Sequence, residues 1–351
     1  NHGFRMDPFK QRHIFLANVA PKSANYNLSY EGIFNNVISK WGVKINGLIS
    51  TPSFSTFFYG LGNTSLLSED RREDDSQYYR VRFDTENIQT SLFRESNNQK
   101  HYFRFGVGYL RTHVDEELNR DDDDDHRFIL DLAADSGIDL RIFDEYKFAH
   151  SQLEYIFDSR SDKSNPENGV HFKILARYFH DIRNNEDNSL GLFSEQSIYT
   201  TLSKRLKTIL ALRFGGAYMI GDNPFFLGPS LGGSQNLRGE RRNRFWGDYS
   251  AFQNTELRVR LLTISNEFII SDFGLLFFHD LGRVWTKNPT DRLSRIYTAN
   301  ELNDYAVDNE WHQGYGFGIW IAPFNMAVLS ADYSFNPRED NMAFVRLGFL
   351  Y

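Results

Sequence analysis

The sequence predicts an all-β protein, a transmembrane antiparallel β-barrel, and three observations carry that prediction. Apolar and polar residues alternate with period two along most of the 351 residues. Aromatic residues reach 16%, with 32 Phe and 18 Tyr, although charged residues are 24% and mean hydropathy is −0.51. A barrel wall reconciles these values, because one face of each strand meets lipid and the other a watery interior. Connections between the alternating segments are short and long by turns, as expected of periplasmic turns and extracellular loops.

The strands fall at 9–18, 26–37, 41–50, 78–93, 100–114, 147–158, 169–181, 192–204, 206–220, 249–262, 268–285, 311–322, 326–336 and 342–351, about 14 in all. In "NTELRVRLL", Thr255, Leu257, Val259 and Leu261 share one face, and Asn254, Glu256, Arg258 and Arg260 the other. In "GYGFGIWI", Tyr315, Phe317, Ile319 and Ile321 oppose Gly314, Gly316 and Gly318. The final "MAFVRLGFLY" sets Ala343, Val345, Leu347, Phe349 and Tyr351 against Phe344, Arg346 and Gly348. Long connections cover 51–77, 115–146, 221–248 and 286–310. Residues 1–351 read as a single barrel domain. The chain opens Asn-His-Gly, and its targeting segment is expected upstream of Asn1. A barrel leaves no edge unpaired in lipid, so a first hairpin is also expected there, making about sixteen strands.

Composition removes several function classes. No run approaches the length of a membrane helix. Cysteine is absent, so neither disulfides nor thiolate metal sites exist. A net charge of −7 argues against a nucleic-acid partner. The ten histidines form no His-x-x-x-His or His-Glu pair, and no Gly-x-Ser-x-Gly occurs, so no metal, cofactor or catalytic set is predicted. His150 and His279 are candidates for a lipid-facing lipase site by position alone. The run Asp121–Asp125 reads as a solvated acidic loop rather than a calcium site.

The stretch "GPSLGGSQNLRGERRNRFWGD", 228–248, concentrates Gly228, Gly232, Gly233 and Gly239 beside Arg238, Arg241, Arg242 and Arg244. No Gly-Lys-Ser/Thr follows and no helical pattern receives it, so it is not a nucleotide cradle. Four motifs in order explain it better. "NLRGERRNRF" holds an aliphatic-Arg-Gly run, Leu237-Arg238-Gly239, with Glu240 next and Phe245 further on. "FFHDLGRVW" carries Asp280, Gly282, Val284 and Trp285, and "QNTELRV" carries Glu256 on the strand before. "FDSRSDKSNPENGVHF" carries Asp158, Arg160, Pro166 and Gly169.

These motifs resemble the outer-membrane assembly and translocation superfamily, the BamA/TamA-like bacterial surface antigen group that includes the two-partner-secretion transporters. The resemblance covers 147–351 by motif and 1–146 by strand pattern. "TFFYGLGNTS", 56–65, and "HGFRMDPF", 2–9, resemble segments of Bacteroidetes-type members. Glu240 departs from the group's pattern, which has Phe or Tyr there.

The resemblance implies an inward-folded Arg-Gly loop, with Arg238 locked to Glu256 and Asp280 on the wall and Gly239 and Gly282 allowing the approach. It implies a family turn at Asp158, Arg160, Pro166 and Gly169, and a C-terminal assembly signal at Arg346, Gly348 and Tyr351. It implies a bacterial outer-membrane protein, non-enzymatic in this chain, that assists insertion or translocation of outer-membrane or surface proteins. Its implied partners are outer-membrane lipid, lipopolysaccharide, client proteins and accessory lipoproteins. The alternative is a barrel anchoring an attached enzyme, a patatin-like lipase or calcineurin-like phosphoesterase.

Overall fold

A computed structural model describes residues 9–21, 25–51, 56–63, 78–114, 143–183, 186–205, 207–265, 270–287, 311–324, 327–336 and 341–349. The strands, in chain order, are β1 (Gln11–Ala20), β2 (Asn25–Ile38), β3 (Trp41–Ser50), β4 (Thr56–Phe57), β5 (Arg80–Val81), β6 (Phe83–Glu95), β7 (His101–Val114), β8 (Tyr146–Asp158) and β9 (Gly169–Asp181). They continue as β10 (Ser189–Ser203), β11 (Thr208–Gly221), β12 (Ser230–Leu231), β13 (Phe245–Trp246), β14 (Tyr249–Ser265), β15 (Ile270–Trp285), β16 (His312–Pro323), β17 (Leu329–Phe335) and β18 (Met342–Leu347). Fourteen of them form one antiparallel sheet in the order β1-β2-β3-β6-β7-β8-β9-β10-β11-β14-β15-β16-β17-β18. Each strand pairs with its neighbour in sequence, apart from the two short pairs β4–β5 and β12–β13 that sit off the sheet. Among the described residues β1 and β18 do not pair with each other.

The period-two pattern becomes a wall with two unlike faces. Leu153 is 60% exposed and Leu329 44%, while Gln152 and Ser330 beside them in sequence are each 2% exposed. Apolar side chains outside and polar ones inside is the inverse of a soluble sandwich and suits a strand wall bathed in lipid. On β15 and β16, Leu276, Phe278, Trp320 and Ala322 pack together on the inner face, and the other apolar clusters inside lie where loops meet the wall. Phe58, Val81, Val114, Phe143, Phe225 and Trp246 form one such cluster, which ties β4, β5 and the 3-10 turn Phe225–Leu227 together. Trp246 donates its indole N–H to the carbonyl of Phe57 at 3.0 Å.

Several expectations need correction. The strand expected over 78–93 is divided into β5 and β6, and β5 leaves the sheet to pair with β4. The last strand stops at Leu347 instead of running on. Gly348 adopts φ +103°, a turn that glycine takes without a Cβ clash, and Phe349 leaves the outward row. Its ring packs inward on Trp320, with centroids 5.5 Å apart. His150 is 7% exposed on the inner face, so it cannot serve a lipid-facing site. His279 pairs with Tyr315 across β15 and β16, and its Nε2 lies 3.4 Å from Oε1 of the diagonal Gln313. Tyr351, Asp121–Asp125 and residues 2–8 lie outside the described residues.

Candidate functional site

The loop between β11 and β14 folds against the inner wall, and sequence makes that possible. Gly232, Gly233 and Gly239 take φ of +123°, +81° and +98°, conformations that strain residues with a Cβ. Gly232 donates its N–H to Asn236 Oδ1 at 2.9 Å, and Gly233 donates to the Glu240 carbonyl at 2.9 Å. Leu231, Leu237, Phe245 and Val284 then close an apolar patch under the loop. The wall is cut to receive it. A Cβ on Gly282 would press on Leu231 Cδ1 at 3.0 Å and on Leu237 Cδ2 at 3.3 Å. A Cβ on Gly314 would collide with the Arg238 carbonyl oxygen.

This seating carries Arg238 to full burial. Its Nε and Nη2 donate to Asp280 Oδ2 and Oδ1, both at 2.7 Å, the parallel fork of a bidentate Arg–carboxylate pair. Its Nη1 donates to Glu256 Oε1 at 2.6 Å, and its backbone N–H donates to Asp280 Oδ2 at 3.1 Å. The guanidinium lies 3.7 Å from the centre of the Phe278 ring. Burial opposes a charge here, and Asp280 and Glu256 outweigh it, so the pKa of Arg238 is raised.

The network extends beyond the expected trio. Glu256 Oε2 accepts from Arg258 Nε at 2.9 Å and Nη2 at 2.7 Å. The Arg258 guanidinium stacks 3.8 Å from the Phe349 ring. Asp332, on β17, lies 3.9 Å from Arg238 Nη1 and pairs with Arg346 on β18. Arg346 also donates to the loop carbonyl of Ser234 at 3.4 Å, and Asn336 donates to the carbonyl of Gly239 at 2.6 Å. Arg238, Glu256, Asp280 and Asp332 have wholly buried side chains.

A model of the Omp85 superfamily domain matches residues 18–346. The chain belongs to the Omp85 superfamily. No curated protein sequence matches it. Among solved structures, it is similar to BamA from Haemophilus ducreyi lacking POTRA domains 1–3, at 13% identity and TM-score 0.59, over 97% of this chain and 70% of that one. It is also similar to CdiB from Escherichia coli, at 11% identity and TM-score 0.51, over 97% of this chain and 59% of that one. CdiB from Acinetobacter baumannii matches at 12% identity and TM-score 0.53, over 99% of this chain and 55% of that one. The chain thus spans under two thirds of the CdiB proteins it matches. Superfamily membership places it among outer-membrane β-barrel proteins.

Within this Omp85 barrel, the residue that breaks the loop motif is not in solvent. Glu240 is 1% exposed, with Oε1 3.7 Å from His312 Nδ1. Phe245 does not reach Arg238; its ring stacks on His312 with centroids 3.9 Å apart. The aromatic face on Arg238 is Phe278, two residues before Asp280 on β15. The period-two pattern already placed Phe278 on the inner face with Asp280, and that signal could have identified it. Asp332 was legible as an inner-face acid in "ADYSF", but nothing local said that β17 passes near the loop. Of the remaining arginines, Arg244 is buried between the rings of Tyr59 and Phe245, at 5.2 and 4.9 Å, and Arg242 is exposed.

The turn between β8 and β9 is a separate assembly. Arg160 Nε and Nη2 donate to Asp158 Oδ1 and Oδ2 at 3.0 and 2.8 Å, and its backbone N–H donates to Oδ1 at 3.1 Å. Pro166 is buried, and Gly169 has φ +114°, where a Cβ would meet the Ser159 carbonyl. Lys173 and His171 follow on β9, away from the Arg238 network. Arg346 and Gly348 lie in and just after β18, and Arg346 joins the Arg238 network through Asp332.

Proposed function

We propose that this barrel assists insertion or translocation of outer-membrane or surface proteins, as a non-enzymatic device in the bacterial outer membrane. The buried Arg238 fork on Asp280 and Glu256 carries this reading, because it fixes a loop inside a superfamily barrel rather than leaving the interior open. Residues 1–351 act in it as a single barrel domain. Arg238, Gly239, Glu256, Asp280 and Gly282 form the loop lock. Asp158, Arg160, Pro166 and Gly169 shape the β8–β9 turn, and Arg346, Gly348 and Tyr351 serve as the assembly signal. The partners are unfolded outer-membrane or surface polypeptides, the surrounding lipid and lipopolysaccharide, and accessory lipoproteins.

The inner charges and the edge strands β1 and β18, unpaired with each other among the described residues, suit this role in physical terms. A buried ion pair contributes little net stability against apolar packing but fixes one arrangement, since losing one partner strands a charge. An extended client segment can add to an exposed strand edge through main-chain hydrogen bonds. Proteoliposomes bearing the full-length protein should speed folding of a urea-denatured small outer-membrane barrel, read by its heat-modifiable gel mobility. Cells lacking the protein should lose specific surface proteins. Unchanged folding rates together with an unchanged surface proteome would contradict the proposal.

A further inference from the structure

The inner wall of β6–β9 holds a second polar cluster, apart from the lock. Ser91, Gly106, Gln152 and Arg177 stand in register across the four strands, and Gln89, Gly108 and His150 form the next rank. Arg104 faces Glu154 one rank further. These side chains point inward: Ser91 and Gln152 are each 2% exposed, whereas Phe105 is 50% exposed on the other face. A Cβ on Gly106 would crowd Ser91 Oγ at 2.5 Å and Gln89 Nε2 at 3.2 Å, and one on Gly108 would crowd His150 Nε2 at 2.6 Å. The two glycines therefore let the flanking polar side chains converge over β7.

Two features make this more than ordinary wall. Buried polar groups are nearly always hydrogen-bonded. Here Gln89 Nε2, Gln152 Nε2, Ser91 Oγ, Arg104 Nε, Arg177 Nε and His150 Nδ1 are all buried without a partner among the described residues. Four of the six atoms can only donate and the Ser91 hydroxyl can do so too, so an acceptor is what they lack. The charge has the matching sign. Glu154 answers both Arg104, at 2.8 Å, and Lys173, at 3.3 Å. Arg177 has Gln152 Oε1 at 3.1 Å and the Phe179 face at 5.9 Å, and no carboxylate pairs with it among the described residues. Three cations, Arg104, Lys173 and Arg177, thus lie around Glu154, and the next carboxylate, Glu195 opposite Lys173, is engaged by Arg213 at 2.6 Å. The Lys173 side chain is 40% exposed and Arg177 is half-buried, so both remain reachable from the interior.

We propose that this patch is a binding site for an oxyanion of carboxylate or phosphate size. Arg177 and Lys173 supply the charge, and Gln89, Gln152 and Ser91 supply neutral donors. The oxyanion comes either from an acidic side chain of a polypeptide inside the barrel or from a free phosphate. The site does not depend on the assembly role proposed above.

The test titrates the full-length protein in detergent with inorganic phosphate, and separately with an end-blocked glutamate-rich hexapeptide, at ionic strength held constant with chloride. The thermal midpoint, read by heat-modifiable mobility, should rise saturably with at least one of the two. Response to the peptide alone assigns the site to polypeptide carboxylates, and response to phosphate alone assigns it to the free anion. Arg177→Gln should weaken binding about tenfold or more, as loss of a charge-assisted hydrogen bond implies. If R177Q does not fold, Lys173→Gln on the accessible rim should weaken binding as well. No saturable response to either probe, or the same affinity in the variants as in the unaltered protein, would overturn the proposal.

Discussion

Two acid–base clusters on the inner wall use the same residue types and sit in opposite surroundings. Near the start of the sheet, Glu31 on β2 receives Arg12 from β1 at 3.1 Å and Lys44 from β3 at 2.6 Å. There the Arg12 and Glu31 side chains are 45% and 26% exposed. Around β14 to β18, Arg238 meets Glu256 and Asp280 at nearly the same distances with no exposure at all. The loop at 228–248 covers the second cluster, whereas the first lies on β1 to β3 at the edge of the sheet. Distance alone therefore says little about how strongly a pair matters. Desolvation raises the cost of breaking the covered one, while water and side-chain entropy erode the open one.

That contrast can be broken or sharpened by substitution. Arg238→Ala should have the largest effect, destabilising the barrel by about 3–5 kcal/mol, since it strands Asp280 without its fork. Denaturant midpoints of the folded protein in detergent would measure it. Gly314→Ala should cost roughly 1–3 kcal/mol by pushing the loop off the wall, although it removes no charge. Limited proteolysis within 228–248 should become faster in that variant and stay unchanged in the equivalent Gly47→Ala, where a Cβ meets nothing. Phe278→Leu should lose roughly 0.5–2 kcal/mol, the worth of a desolvated cation–π contact. Glu31→Gln should change stability by only about 0–1 kcal/mol, and less at high salt. A Glu31→Gln effect equal to that of Arg238→Ala would remove the distinction between the clusters.

The two regions also differ in how much of them the sequence reveals. The strands on both sides were legible because period-two alternation is strong where one face meets lipid. Arg238, Glu256 and Asp280 were readable as candidates because each stands in a motif resembling the family's. Phe278 sat in plain view beside Asp280 on the same face. Asp332, Arg346 and Phe349 were different. Their convergence on the lock depends on which strands lie around the loop and on the φ of Gly348, and neither leaves a local mark. The Glu240–His312 contact joins residues 72 positions apart in sequence by 3.7 Å, and no spacing rule reaches that far. His150 was misplaced for a related reason: position along a strand does not say which face it takes unless the alternation is followed through its neighbours.

The central claim is that Arg238 and Asp280 act as one unit in a water-free setting. A double-mutant cycle between Arg238→Ala and Asp280→Ala, read as unfolding free energy of the full-length protein, tests it most directly. The account predicts a double variant no less stable than the worse single variant, with coupling on the order of 2–3 kcal/mol. Losses that simply add would contradict it.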